Sequence, residues 1–209
     1  MKADAEEVEI VEILNQAQQS GMIRVNKQVI TQYNVFLDRQ IGAPSEYRDL
    51  INALYNAGEG DIFNIVINSP GGYLSSAMAI IEAINNTEAL VRAIMVGECH
   101  SAASLIALKC HEIVLGQYSH MMCHTADYVS GGNTHNVQAH ANFSTSYINR
   151  IIDDVYKDFL TETELSDLRK GAEVWLDYDE LEKRMLKRQE LLVKAAKEEA
   201  KIPNKGKKA

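Results

Sequence analysis

The chain predicts an α/β fold around a largely parallel sheet, and three observations carry that expectation. Two short, β-branched apolar runs, Ile62–Asn68 and Ala89–Val96, read as strands buried on both faces. Each ends at a glycine-containing break, SPGG in one case and Gly97 in the other. A helical segment follows each break, Leu74–Asn85 and then Ser101–Lys109. Alternation in units this short implies right-handed crossovers between parallel strands.

The remaining elements are read in chain order. Residues 4–18 (DAEEVEIVEILNQAQ) form an acidic helix with Val8, Val11 and Leu14 on one stripe, and Gly21 ends it. An extended stretch from Met22 to Val35 leads through Phe36 and Leu37 into DRQIG. Pro44 and Ser45 open a helix to about Asn56, and AGEG turns the chain. Beyond the two strand–helix units, Glu112–Leu115 and His120–Cys123 read as short strands. The character changes after Gly131-Gly132. A long helix runs from Val137 to about Leu160, with Phe143, Tyr147, Ile151 and Val155 at four-residue steps. Helices over roughly Glu162–Arg169 and Asp179–Lys201 follow, and the basic tail KIPNKGKKA reads as a solvated terminus.

Composition narrows the function. With 209 residues, 46% of them apolar, 24% charged and only 3 proline, the chain is an ordinary globular one able to bury a core. A formal charge of −8 argues against nucleic acid as the main partner, since phosphate would be repelled over most of the surface. No apolar run approaches the roughly 18 residues that span a bilayer. MKADAEEVEI lacks a basic-then-apolar leader, and 3 cysteines cannot all pair with one another, so a reduced cytoplasmic setting is expected.

Two strand ends could carry chemistry. In INSPGG, residues 67–72, adjacent glycines let backbone N–H groups approach a ligand, although taken alone the segment fits a plain strand-to-helix turn better. In GECHSAASLIAL, residues 97–108, Ser101 stands where a helix begins. Free N–H groups and the helix dipole favour developing negative charge there, as for a nucleophile on a sharp turn. A serine that merely caps the helix fits the same position.

Taken together, NSPGG, then G-x-x-x-S-A-A-S-L-I-A-L, then MMCH resemble the Clp-type serine peptidases, particularly their phage-borne and head-maturation relatives, over about Asn34–Leu186. The resemblance implies a ClpP/crotonase-like fold of repeated β-β-α units with a protruding strand-plus-helix handle at about 127–160, begun by the Gly-Gly of YVSGGNTHNV. It divides the chain into an N-terminal helix (1–20), a peptidase domain (21–186) and a charged C-terminal helix with its tail (187–209). It implies Ser101 as nucleophile, with Ser104 the rival three residues into the helix, and His124 as general base. The backbone N–H groups of Gly72 and Ala102 would form the oxyanion hole, with Pro70 and Gly71 shaping the turn. The family usually places an aspartate two residues before an aromatic; here Glu173 stands two before Trp175, and Asp177 is the fallback or a helix cap. No cofactor is implied. The expected substrate is unfolded protein or peptide, cleaved inside homo-oligomeric rings, heptameric or double. An ATP-driven AAA+ unfoldase would be a separate partner, since this chain has no G-x-x-x-x-G-K-[ST] loop.

Other readings fit the same residues. The same architecture serves crotonase-like enzymes that bind acyl-CoA thioesters and stabilise enolates with paired amides, which need no serine–histidine pair. A ring-forming or capsid-associated protein with a vestigial triad is a third. The dipeptides Cys99-His100, Cys110-His111 and Cys123-His124 offer zinc-type ligands, but neighbours on a strand point to opposite faces and no C-x-x-C is present.

Overall fold

In the computed structural model, residues 30–199 are described, with side chains through Leu191. Nearly all of them belong to a compact unit that begins at Gln32. The expected N-terminal helix at 4–18, most of the extended stretch from Met22 and the basic tail lie outside the described residues.

Six strands form one sheet: β1 Gln32–Leu37, β2 Ile62–Ser69, β3 Leu90–His100, β4 Glu112–Leu115, β5 His120–Cys123 and β6 Val174–Leu176. The order is β1-β2-β3-β5-β6, with β4 also pairing β3. All pairs are parallel except β5 with β6. The helices are α1 Arg48–Asn56, entered through a 3₁₀ turn at Pro44–Tyr47, α2 Leu74–Asn86, α3 Ala102–Lys109, α4 Thr134–Tyr156, α5 Glu162–Arg169 and α6 Tyr178–Glu199. The β–α alternation read from the sequence is therefore the architecture.

Strand β3 organises the rest. Its side chains alternate, so Val91, Ala93 and Met95 face a core that also takes Phe63, Ile65 and Ile67 from β2 and Ile80, Ile84, Ile106 and Leu108 from α2 and α3. Its first half pairs with β4 and its last three residues with β5. The switch occurs at the Met95 carbonyl, which accepts the Gly116 N–H at 2.8 Å and the Ser119 hydroxyl at 2.8 Å.

Gly97 does not end this strand, contrary to the sequence reading. Pairing passes from Ile67–Met95 to Ser69–Cys99, so β3 bulges. The Asn68 side chain fills the gap in the ladder by accepting the Glu98 N–H at 3.0 Å. A side chain at Gly97 would put its Cβ 2.4 Å from that same Asn68 Oδ1. The bulge carries the strand on to His100 and delivers the next residue, Ser101, beyond its end.

Helix α4 also differs from expectation. Its buried positions are Ser144, Ile148, Ile151, Ile152, Val155 and Tyr156, one residue out of phase with the Phe143–Tyr147 start of the expected stripe. Phe143 is 67% exposed and stacks on Tyr147 with ring centroids 6.0 Å apart. The first half of α4 contributes only Ser144 to the buried set, so apart from its stack on Tyr147 the Phe143 ring finds no core among the described residues. Residues 125–133, where a strand was expected ahead of this helix, form none.

An ion pair joins two of the C-terminal helices, whose Leu165, Leu168 and Leu181 are also buried. Arg184 on α6 makes a two-pronged bond to Glu164 on α5, at 2.8 and 2.9 Å. Thr161 and Glu164 cap α5 reciprocally. Gly171, at φ 96°, closes α5 with its N–H on the Leu168 carbonyl while the Ala172 N–H returns to Asp167. The chain is thus turned back into β6.

Glu164→Gln is expected to lower Tm by about 2–4 °C at neutral pH, as losing about 1 kcal/mol does in a chain of this size. Hydrogen bonding to Arg184 is the first cause that holds the Glu164 carboxyl down, from 4.5 to about 2. A depressed folded-state value means the pair stabilises fully above the ordinary carboxylate range and loses its effect as pH falls towards 2. Melting curves of the two proteins should therefore converge in acid; a constant gap down to about pH 3 would show that this pair is not the cause.

Candidate active site

Ser101 is the only non-glycine residue with positive φ among the described residues, at φ 54° and ψ −124°. A side chain is strained in that region by roughly 1–3 kcal/mol, and such strain concentrates at functional positions. Its N–H donates to the Met122 carbonyl at 2.8 Å. Its own carbonyl accepts the Ser104 N–H at 3.0 Å and the Ser104 hydroxyl at 2.7 Å. The side chain is left proud of the turn, over the N-terminus of α3. Here the cap alternative loses ground: Ser101 makes no side-chain cap bond.

His124 follows β5 directly, and its Nε2 lies 2.6 Å from Ser101 Oγ. With the imidazole neutral and Nε2 unprotonated, the serine hydroxyl donates to it, which is the contact a general base needs. Both residues stand at the C-terminal ends of parallel strands. The pairs Cys99–Met121 and His100–Met122 bring those two ends together.

The glycine turn lies against the same spot. A Cβ on Gly71, at φ 89°, would meet the His100 carbonyl at 2.6 Å and the Ser101 Cβ at 2.7 Å. Gly72 pairs with Ile41: the Ile41 N–H donates to Gly71 O at 2.7 Å and the Tyr73 N–H to Ile41 O at 3.0 Å. That pattern leaves the Gly72 N–H unused. The Ala102 N–H, at the first position of α3, is unused as well, and no acceptor among the described residues takes either. Buried Ser69 locks the turn by accepting the Gly71 N–H at 3.1 Å and donating to Arg39 O at 2.7 Å.

Glu173 is brought near but not into contact. The antiparallel pair Cys123–Val174 is the last of β5 and β6, and one step beyond it stand His124 on one side and Glu173 on the other. No hydrogen bond joins the Glu173 carboxylate to His124. It accepts instead from the Trp175 indole N–H at 2.9 Å. Asp177 turns to α6, where its Oδ1 caps the Glu180 N–H at 3.0 Å. Ser104, the rival nucleophile, is fully buried and shares a 2.7 Å hydrogen bond with the Tyr156 hydroxyl.

The cysteine–histidine dipeptides go separate ways. Cys99, Cys110 and Cys123 are buried thiols, and burial is the main cause pushing the last two up to about 12. Cys110 donates to Ile106 O, while the neighbouring His111 accepts the Val91 N–H on Nδ1.

A cleft of about 270 Å³ opens beside Ser101 and His124. Leu74, Leu105, Ile148, Ile152 and Tyr156 supply its apolar part, and Asp127 also lines it. The sequence reading did not identify these wall residues. The one available signal was the four-residue step Ile148, Ile152, Tyr156 along α4, which reads as core packing until the fold lays it against α3.

The arrangement can deprotonate a hydroxyl, hold an apolar side chain beside it and offer two backbone donors to an oxyanion. A family model described as Clp protease matches residues 17–180 of the chain. A search of the curated proteins finds no match.

Gly71→Ala should force the turn off the Ser101 elbow. Labelling of Ser101 by a serine-directed phosphonate is then expected to slow by about 10²-fold or more, with the far-UV circular dichroism unchanged. Unaltered labelling would mean the glycine turn does not support the site.

Proposed function

Because the chain belongs to the Clp protease family, a peptidase family of the ClpP type, we propose that it is a serine endopeptidase acting on unfolded polypeptides. The observation that carries this reading is the 2.6 Å contact from His124 Nε2 to Ser101 Oγ, made at a strained elbow beside two uncommitted N–H groups. His124 accepts the serine proton as Oγ attacks the scissile carbonyl, and returns it to the departing amine. The oxyanion forms against the N–H groups of Gly72 and Ala102. Glu173 is the acid that stabilises the imidazolium, in preference to Asp177, because it stands across from His124 whereas Asp177 already caps a helix. An acyl-CoA reading would leave the serine–histidine contact without a purpose.

Family membership also supports assembly into rings enclosing a chamber, fed by a separate ATP-driven unfoldase. The exposed Phe143 and Tyr147 on the projecting half of α4 suit a contact with another copy. The motif likeness, with the acidic N-terminal and charged C-terminal sequences, supports a phage-borne source and a role in capsid maturation.

Ser101→Ala is expected to abolish phosphonate labelling and hydrolysis of unfolded protein, whereas Ser104→Ala should retain labelling and lose about 1 kcal/mol of stability with its Tyr156 bond. Label uptake that survives Ser101→Ala would overturn the assignment. Specificity follows from the cleft walls. Ile148→Phe should narrow the pocket and move preference at the residue before the cleaved bond from Leu or Met towards Ala, by about 10-fold in relative kcat/KM. An unchanged preference profile would place the specificity pocket elsewhere.

A further inference from the structure

We propose that Trp175 is a positioning residue that competes with His124 for the carboxylate of Glu173, holding the triad acid off the imidazole until positive charge develops there. This rests on the serine-peptidase reading above and extends it to how the acid is delivered.

Three features of the structure carry the argument. The indole N–H already holds Glu173 Oε2 at 2.9 Å, while no hydrogen bond reaches His124 from that carboxylate. The indole is itself seated: it stands edge-on to the His100 ring at 5.0 Å, and His100 packs on His120 at 5.0 Å. His100 is the residue immediately before the nucleophile, and its Nε2 is buried without a partner. The indole therefore leans on the chain segment that presents Ser101 while gripping the acid that serves His124.

The chemistry favours an exchange. An indole N–H is a neutral donor and nothing else. Against a neutral His124 it competes on roughly equal terms. Against an imidazolium it loses, because a charge-assisted hydrogen bond is about twice as strong. The Glu173–His124 bond then forms chiefly as Ser101 gives up its proton, so its stabilisation falls on the transition state and not on the resting site. Glutamate suits this better than aspartate, since its extra methylene lets one carboxylate serve two donors in turn.

Trp175→Phe keeps the ring against His100 and removes the N–H. Glu173 should then engage His124 in the free enzyme and raise the imidazole's affinity for a proton. Since the base works only when neutral, the acidic limb of the pH–rate profile for phosphonate labelling of Ser101 is expected to move up by about one unit. The other titratable groups around this path are Glu98 and His100 on β3, His120 and Cys123 on β5, and Asp127 and Tyr156 on the cleft lining, and the variant leaves all six in place. In a Glu173→Gln background the same substitution should cause no shift. A superimposable profile, or an equal shift in both backgrounds, overturns the proposal. A second reading needs no variant: the protein has 1 tryptophan, so indole emission reports this bond directly. Phosphonylation of Ser101 should shift that emission as the carboxylate leaves, and an unmoved spectrum is equally fatal. If labelling persists in Ser101→Ala, the peptidase reading falls and this inference with it; if labelling needs Ser101 and the profile stays put, only the inference falls.

Discussion

The positive φ of Ser101 is held from several sides at once, and the reactive geometry depends on that hold. The Met122 carbonyl takes its N–H, which ties the elbow to β5 and hence to His124 two residues on. Gly71 lies so close that any side chain there would enter the space of the Ser101 Cβ. Behind the elbow, the helix begins with Ala102 and Ala103, both buried and small enough for α3 to seat directly on the sheet. Relaxing the serine into an ordinary conformation would swing its hydroxyl away from the imidazole and tilt the Ala102 N–H. Strain of a few kcal/mol persists because the hydrophobic core of β2, β3, α2 and α3 surrounds it and offers no alternative packing.

How the strand reaches that elbow is less direct than the sequence suggests. Two extra residues in β3 relative to β2, bridged by Asn68, rotate the end of the strand so that His100 leaves the ladder beside β5 and no longer beside β4. The Met95 carbonyl, gripped by Gly116 and Ser119, is where the two short strands exchange places. A bulge next to an active site that re-aims one side chain is a recurrent use of the device.

Legibility followed local chemistry. The strand Ile62–Ser69, the first part of the strand Leu90–His100 as far as Val96, and the helices at α2, α3 and α5 were visible because apolar periodicity and breakers report directly on the backbone. Gly97 misled because glycine marks both strand ends and bulges, and only the partner strand distinguishes them. Strand β6 is three residues long and carries no period of its own; its pairing to β5 supplies the reason it exists. Phe143 and Tyr147 fit a helical stripe, yet a stripe says only that side chains share a face, and says nothing of whether a core lies opposite. At the site, Ser101 and the glycine turn were legible as strand-end features. His124 and Glu173 needed the family's motif order, since no spacing rule links residues brought together by sheet pairing.

Ser101, His124 and Glu173 are not equally anchored, and the inequality has an electrostatic consequence. Ser101 and His124 hang from strands whose inward side chains are fully buried, whereas Glu173 is an exposed residue just ahead of a three-residue strand. Attraction between an exposed carboxylate and an imidazolium is screened by water and salt, so it stabilises far less than the same pair would when dehydrated. Covering Glu173 and Trp175, whether by a polypeptide in the cleft or by a neighbouring copy, would raise the strength of that interaction without moving any residue of the elbow. The weakest anchor is thus also the place where the surroundings would have most leverage over a charge on His124. In the proposed peptidase the rigid pair would hold the geometry ready, and the acid would supply the variable term.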